Sequence, residues 1–149
     1  MSTATQPQPE RRRQTRALID KMLEERQQML VLFERVAGVP PYEKEAAGPK
    51  VLREFSQILV DYIAAGHFGL YERIAEGKER RQRVVAVAEE VYPRLAETTE
   101  AAIAFNDTYE ASAKDGLTGA IAAEITGLGE VIATRIELED RIIAELLAR

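Results

Sequence analysis

In this 149-residue chain, apolar stripes of helical spacing are interrupted by a few polar residues, and those residues could do chemistry. The only histidine, His67, falls between Ile63 and Leu70, with Ile74 beyond. Spacings of four, three and four predict that it lies on the apolar side of a helix. Arg26 occupies the same kind of position between Met22 and Met29. Asp61 follows Ile58 by three residues and Asn106 follows Ala102 by four; Glu139 and Asp140 follow Ile136 by three and four. A polar group on an inner face must find a partner or bear the cost of leaving water. If the helices pack side by side, these groups can converge in one polar layer.

Three kinds of chemistry compete for that layer. The first is a hemerythrin-like metal centre built from His67, Glu72 and Glu139. Di-iron sites in helical bundles take several glutamates and paired Glu-x-x-His motifs, and one histidine with a few carboxylates is a poor ligand set. The second is an acid–base pair of His67 with Asp61 or Glu139. No nucleophile motif, phosphate-cradling glycine loop or cofactor fingerprint accompanies such a pair. The third is a network of ion pairs and hydrogen bonds, with Arg26 on Glu139 or Asp140, His67 on a carboxylate, and Asn106 as a further structural member. Such a layer adds little net stability but fixes helix register, and it is the reading that the residue types favour. Neither catalysis, a cofactor nor a metal is expected.

Four amphipathic segments must position these groups, and no stretch has the alternation of a strand. The first runs from about Gln14 to Ala37 on Ile19, Met22, Arg26, Met29, Phe33 and Val36, and ends at Gly38-Val39-Pro40-Pro41. The second starts near Pro49, a favourable first-turn residue. It continues through Leu52, Phe55, Leu59, Ile63 and the His67 run to about Glu76, with Gly66 and Gly69 inside it. The third, about Lys78 to Ser112, carries Val84, Ala88, Val91, Leu95, Ala102, Phe105 and Tyr109; Pro93 predicts a kink or break near Tyr92. After the turn at Asp115-Gly116, the fourth runs from about Leu117 to Ala148. Short connections favour antiparallel neighbours, so the expected fold is all-α: an antiparallel up-and-down bundle of four main helices.

Length fits one domain, placed at 14–149 behind a flexible basic tail of residues 1–13. The chain has no cysteine, which excludes disulfides and thiolate chemistry. With no apolar run long enough to span a bilayer and no apolar leader, a soluble cytoplasmic protein without membrane contact is expected. The net charge of −5 is uneven: the first sixteen residues carry +3 and the rest −8. An acidic body argues against direct DNA binding and suits a basic protein partner.

Three blocks resemble the Rsd/AlgQ (regulator of sigma D) family. They are Leu18-Ile19-Asp20-Lys21 with Glu25-Arg26; the run Leu59 to Ile74, with its Val-Asp-Tyr, Gly-His-Phe and Tyr-Glu elements; and Tyr92-Pro93-Arg94-Leu95 with Ala104-Phe105-Asn106-Asp107, continuing through Leu128-Gly129-Glu130 to Leu138-Glu139-Asp140. Met22 stands where family members would carry a tryptophan, a residue this chain lacks. The resemblance implies an anti-sigma factor. It would bind region 4 of the housekeeping sigma factor and block its −35 promoter and core polymerase contacts, shifting polymerase towards alternative sigma factors in stationary phase. One lineage of the family also binds a sugar-transport phosphocarrier protein, so another protein partner is the alternative. Asp61, His67, Phe68, Tyr71, Glu72, Glu139 and Asp140 are the expected functional cluster, with Asp20, Glu24 and Glu25 at the rim of the interface.

Overall fold

The stripes determine which faces meet. In a computed structural model, residues 8–38, 49–77, 79–111 and 119–148 are described. Residues 1–7, the Val39-Pro40-Pro41 turn and the Asp115-Gly116 turn lie outside them. Helix α1 spans Gln8–Ala37 and α2 Pro49–Gly66; a π-helical turn, His67–Tyr71, leads into the single turn of α3, Glu72–Ala75. Helices α4, Gln82–Ala111, and α5, Gly119–Leu147, complete the chain, and no strand occurs among the described residues. Arg11 to Arg13, expected in a tail, belong to α1, which starts six residues before Gln14. Of the two outcomes expected at Pro93, a break does not occur: α4 runs through it.

Side-chain pairs give the topology. Phe33 meets Phe55 and Arg26 meets Tyr62, so α2 descends beside α1. Phe55 meets Phe105, while Tyr71 and Ile74 at the other end line a cavity with Val85 and Ala88, so α4 ascends beside α2. Arg135 reaches Thr98 while Arg141 reaches Glu90, so α5 descends beside α4. Arg26 reaches Glu139, closing the ring from α1 to α5. Every neighbour is antiparallel, as short connections require.

The core forms where the apolar stripes of the four helices face one another. Ile19, Met22, Met29 and Val36 of α1 are buried, as are Leu52, Phe55, Leu59 and Ile63 of α2. All seven stripe residues expected on the third segment are buried as well. Phe33, Phe55 and Phe105 form an aromatic ladder with ring centroids 5.9 and 5.8 Å apart, a spacing that favours tilted and edge contacts. No helix among the described residues is long and apolar enough to cross a membrane.

Two glycines of α5 separate helix propensity from packing. A Cβ at Gly127 would meet nothing within 4 Å, whereas one at Gly129 would lie 2.9 Å from Cζ of Phe33. Gly127→Ala should therefore stabilise the fold by up to ~1 kcal/mol. Gly129→Ala should lose that gain or reverse it, by pushing Phe33 off Phe55. Thermal melts of the two variants check the contrast; equal stabilisation by both would contradict this packing.

Candidate functional site

Helix α5 carries Ile132, Arg135, Glu139, Ile142 and Leu146 at spacings of three, four, three and four, and this, rather than the face through Ile136, is its innermost line. Two of the five residues are charged, and both are buried: Arg135 is 3% exposed and Glu139 0%. Arg135 Nε donates to Glu139 Oε2 at 3.0 Å. Arg26 of α1 reaches over with Nη2 on Glu139 Oε1 at 3.2 Å and Nη1 on Asp140 Oδ1 at 2.8 Å. The hydroxyl of Tyr62, from α2, donates to Glu139 Oε1 and accepts from Arg26 Nε. On the far side, Arg135 Nη1 donates to the hydroxyls of Thr98 and Thr99 at 3.0 and 2.9 Å and to the Leu95 carbonyl at 3.4 Å. All four long helices meet in this layer.

The electrostatics follow from burial. Burial pushes the Tyr62 hydroxyl well above its ordinary ionisation range, and the Glu139 charge adds to the shift while Arg26 opposes it. Tyr71 is raised in the same way, by burial first and Glu139 second. Burial alone would weaken the charge on Arg26, but Tyr62, Asp140 and Glu139 outweigh it and hold the guanidinium protonated. Both oxygens of Glu139 already accept from strong donors. This carboxylate is therefore the acceptor at the centre of the network.

The expected pairing of Arg26 with Glu139 or Asp140 is present with both. The expected place of His67 is overturned: it is exposed, its ring edge-on to Phe68 at 4.8 Å between centroids. The cause is the π-helical turn. In an unbroken α-helix, nine residues make about two and a half turns, which would set Tyr62 and Tyr71 on opposite sides. The wider turn absorbs one extra residue, so both tyrosines are buried, at 1% and 3%. Gly66 then takes the inner position expected of His67. A Cβ on it would come within 3.1 Å of Tyr71 Cε2 and 3.5 Å of both Glu139 Oε2 and Met22 Sδ. Met22 is buried there and receives the Tyr71 hydroxyl at 4.0 Å.

The expected cluster thus divides in two. Tyr71 and Glu139 lie inside, with Asp140 at the network's solvent edge. Asp61, His67 and Phe68 are exposed, Phe68 by 66%, and Glu72 is half-buried. Asp61, expected on the inner stripe, instead accepts from Gln57 on the outer side of α2. Asn106 serves a separate contact, receiving the hydroxyl of buried Ser56. His67, Glu72 and Glu139 do not assemble, and among the described residues no three His, Cys, Asp or Glu side chains are placed to hold a metal. Sequence reasoning missed Arg135, Tyr62, Thr98 and Thr99. Arg135 was findable, since it stands three after Ile132 and four before Glu139; nothing local marked the threonines as its acceptors.

A groove between α1 and α2 carries the remaining candidates. Glu25, Gln28 and Leu32 line one side, and Arg53, Glu54, Gln57, Ile58 and Asp61 the other. Glu25 is half-buried, and its Oε2 is shielded from solvent without a hydrogen-bond partner among the described residues. Asp20 and Glu24 are exposed further along α1.

Comparison with known proteins gives a consistent result. The family model described as "Regulator of RNA polymerase sigma(70) subunit, Rsd/AlgQ" matches residues 1–147. A protein named regulator of sigma D from Yersinia enterocolitica is 32% identical over 130 residues, covering 85% of this chain and 78% of the relative. Its namesake from Yersinia pestis bv. Antiqua is 34% identical over 131 residues, covering 85% and 77%. The one from Escherichia coli O1:K1 is 31% identical over 144 residues, covering 93% and 89%.

Two measurements test the polar layer. Glu139→Ala would strand Arg26 and Arg135 and should cost about 3–5 kcal/mol in urea unfolding; a loss below about 1 kcal/mol would contradict the network. Because the folded-state pKa of Tyr62 and Tyr71 is raised, their contribution is fully present below about pH 10 and is lost as pH rises further. In an alkaline absorbance titration, at least two of the five tyrosines should ionise only as the protein unfolds; five ordinary titrations would contradict the geometry.

Proposed function

Because this chain belongs to the Rsd/AlgQ family, and is accordingly a regulator of the sigma-70 subunit of RNA polymerase, we propose that it acts by occlusion, covering region 4 of that subunit. In this reading the polar layer is a frame and the binding face lies outside it. The α1–α2 groove, with Glu25, Glu54 and Asp61 against the single cation Arg53, receives basic side chains of region 4. Phe68, brought out by the π-helical turn beside His67, supplies the exposed aromatic anchor that such interfaces concentrate their energy on. Glu24, Glu72 and Asp140 form the acidic surround, and Asp20, ion-paired with Arg16, stands outside it. The value of the surround lies in steering and register, since exposed charge pairs contribute little affinity.

The observation that carries the reading is Glu25. A shielded carboxylate oxygen without a donor is costly in the free protein, and an incoming arginine or lysine supplies what it lacks. An acidic groove next to an exposed aromatic suits a basic helical module, and the occupied module can no longer reach promoter DNA or core polymerase. No chemical step is involved, and the protein works in the compartment that holds the polymerase, the cytoplasm.

Calorimetric titration of the full chain against isolated region 4 checks this. A one-to-one complex of micromolar or better affinity is expected, weakened by about tenfold or more in Asp61→Ala and in Phe68→Ala. Melting temperatures should be unchanged, because both side chains are exposed. No binding to region 4, with capture of a phosphocarrier protein instead, would transfer the function to that partner. Equal loss of binding and stability would return Asp61 to a structural role.

A further inference from the structure

The start of α1, the start of α4 and the end of α5 meet around a second, oppositely charged cleft. Arg12, Arg13 and Arg16 line it from α1, and Arg81 lines it just ahead of α4. Asp20 is the only acidic residue in the lining and Glu79 pairs with Arg81 from outside it, so four arginines are set against two carboxylates. Arg16 and Asp20 approach to 3.6 Å with both side chains about two-thirds exposed, a contact that ties down little charge. Arg12 and Arg13 are exposed and form no ion pair among the described residues. Arg81 is held in place differently: its Nε binds Glu79 Oε1 at 2.9 Å and its Nη1 the Leu146 carbonyl at 2.9 Å. Its Nη2 takes no part in these bonds.

Nothing in the fold calls for this arrangement. Like charges three and four apart on one helix face repel each other, and in a chain of net charge −5 they are not needed for solubility. The cleft also has an apolar floor, with Ala17, Leu146 and the 41%-exposed Leu147 between the arginines. Guanidinium forks at close spacing match the oxygens of phosphate in pairs, which ammonium groups do not. The rest of the chain, at −8, repels a long polyanion such as nucleic acid. An extended acidic peptide would reach beyond a lining confined to so few turns.

We propose that this cleft binds a small anion carrying two or more phosphates, with the apolar floor supporting the organic part of the ligand. Such a ligand would place a metabolite-sensitive site on the bundle, apart from the α1–α2 groove.

Inorganic tripolyphosphate is the probe, titrated into the intact protein by calorimetry with amide shifts followed by NMR. Saturable one-to-one binding is expected, with shifts at Thr15, Ala17 and Leu147. The double variant Arg12→Gln/Arg13→Gln should weaken binding by about tenfold or more, and Arg12→Lys/Arg13→Lys by an intermediate factor, because charge survives but the fork does not. Both side chains are exposed, so unchanged melting should accompany the loss. No saturable binding below millimolar probe, or equal binding by the Gln variant, would overturn the proposal. So would tighter binding of hexaglutamate or of a single-stranded oligonucleotide, which would assign the cleft to a protein or nucleic-acid partner.

Discussion

Glu139 cannot be buried alone. A carboxylate with no exposed surface requires compensating charge and donors at hydrogen-bonding distance, and here they come from different helices: Arg135 from its own, Arg26 from α1 and Tyr62 from α2. Arg135 needs acceptors in turn and takes them from α4 through Thr98, Thr99 and the Leu95 carbonyl. Each helix is therefore located by directional bonds as well as by oily contact. An apolar layer at the same level tolerates sliding by a fraction of a turn; this one does not. The aromatic ladder of Phe33, Phe55 and Phe105 fills the space beyond the layer and contributes burial rather than register.

The fold class, the four long segments, nearly all of the core stripe and the Arg26–Glu139–Asp140 contacts were legible from residue spacing. Those features depend on period and on charge complementarity, which are properties of the sequence. His67 was misplaced because periodicity assumes a constant turn, and the wider turn at His67–Tyr71 has no signature in hydropathy. The two flanking glycines, Gly66 and Gly69, marked the region as unusual without giving the phase. Asp61 was placed inside on a single three-residue step from Ile58, which is itself only partly buried. Arg135 is harder to read because the fourth segment has two apolar lines, and the more hydrophobic one runs through Ile136. The anion cleft was half visible: its Arg-rich start stood out in composition, but Arg81 and the end of α5 join it only in three dimensions.

Two clefts on the outside of the molecule differ in sign. Carboxylates outnumber cations along the α1–α2 groove, whereas arginines outnumber carboxylates where α1 begins and α5 ends. Attraction to a basic group is thereby favoured at the first cleft and opposed at the second. That biases approach before any contact forms, and it weakens with added salt.

The extra residue within the second helical rod acts as a vernier. Upstream of it, the backbone keeps step with α1 and α4 through Phe55, Leu59 and Tyr62; downstream, Leu70, Tyr71 and Ile74 keep step with the same core after a change of phase. Two segments of one rod can thus be tuned separately, and substitutions in one need not be matched by changes in the other. A single-residue deletion between Gly66 and Tyr71 would remove the extra residue, so a regular α-helix could carry Tyr71 to the core in nearly the same phase. The wider turn is therefore one inserted residue absorbed without disturbing the packing on either side of it, and what the rod gains from it is surface around His67 and Phe68 rather than core.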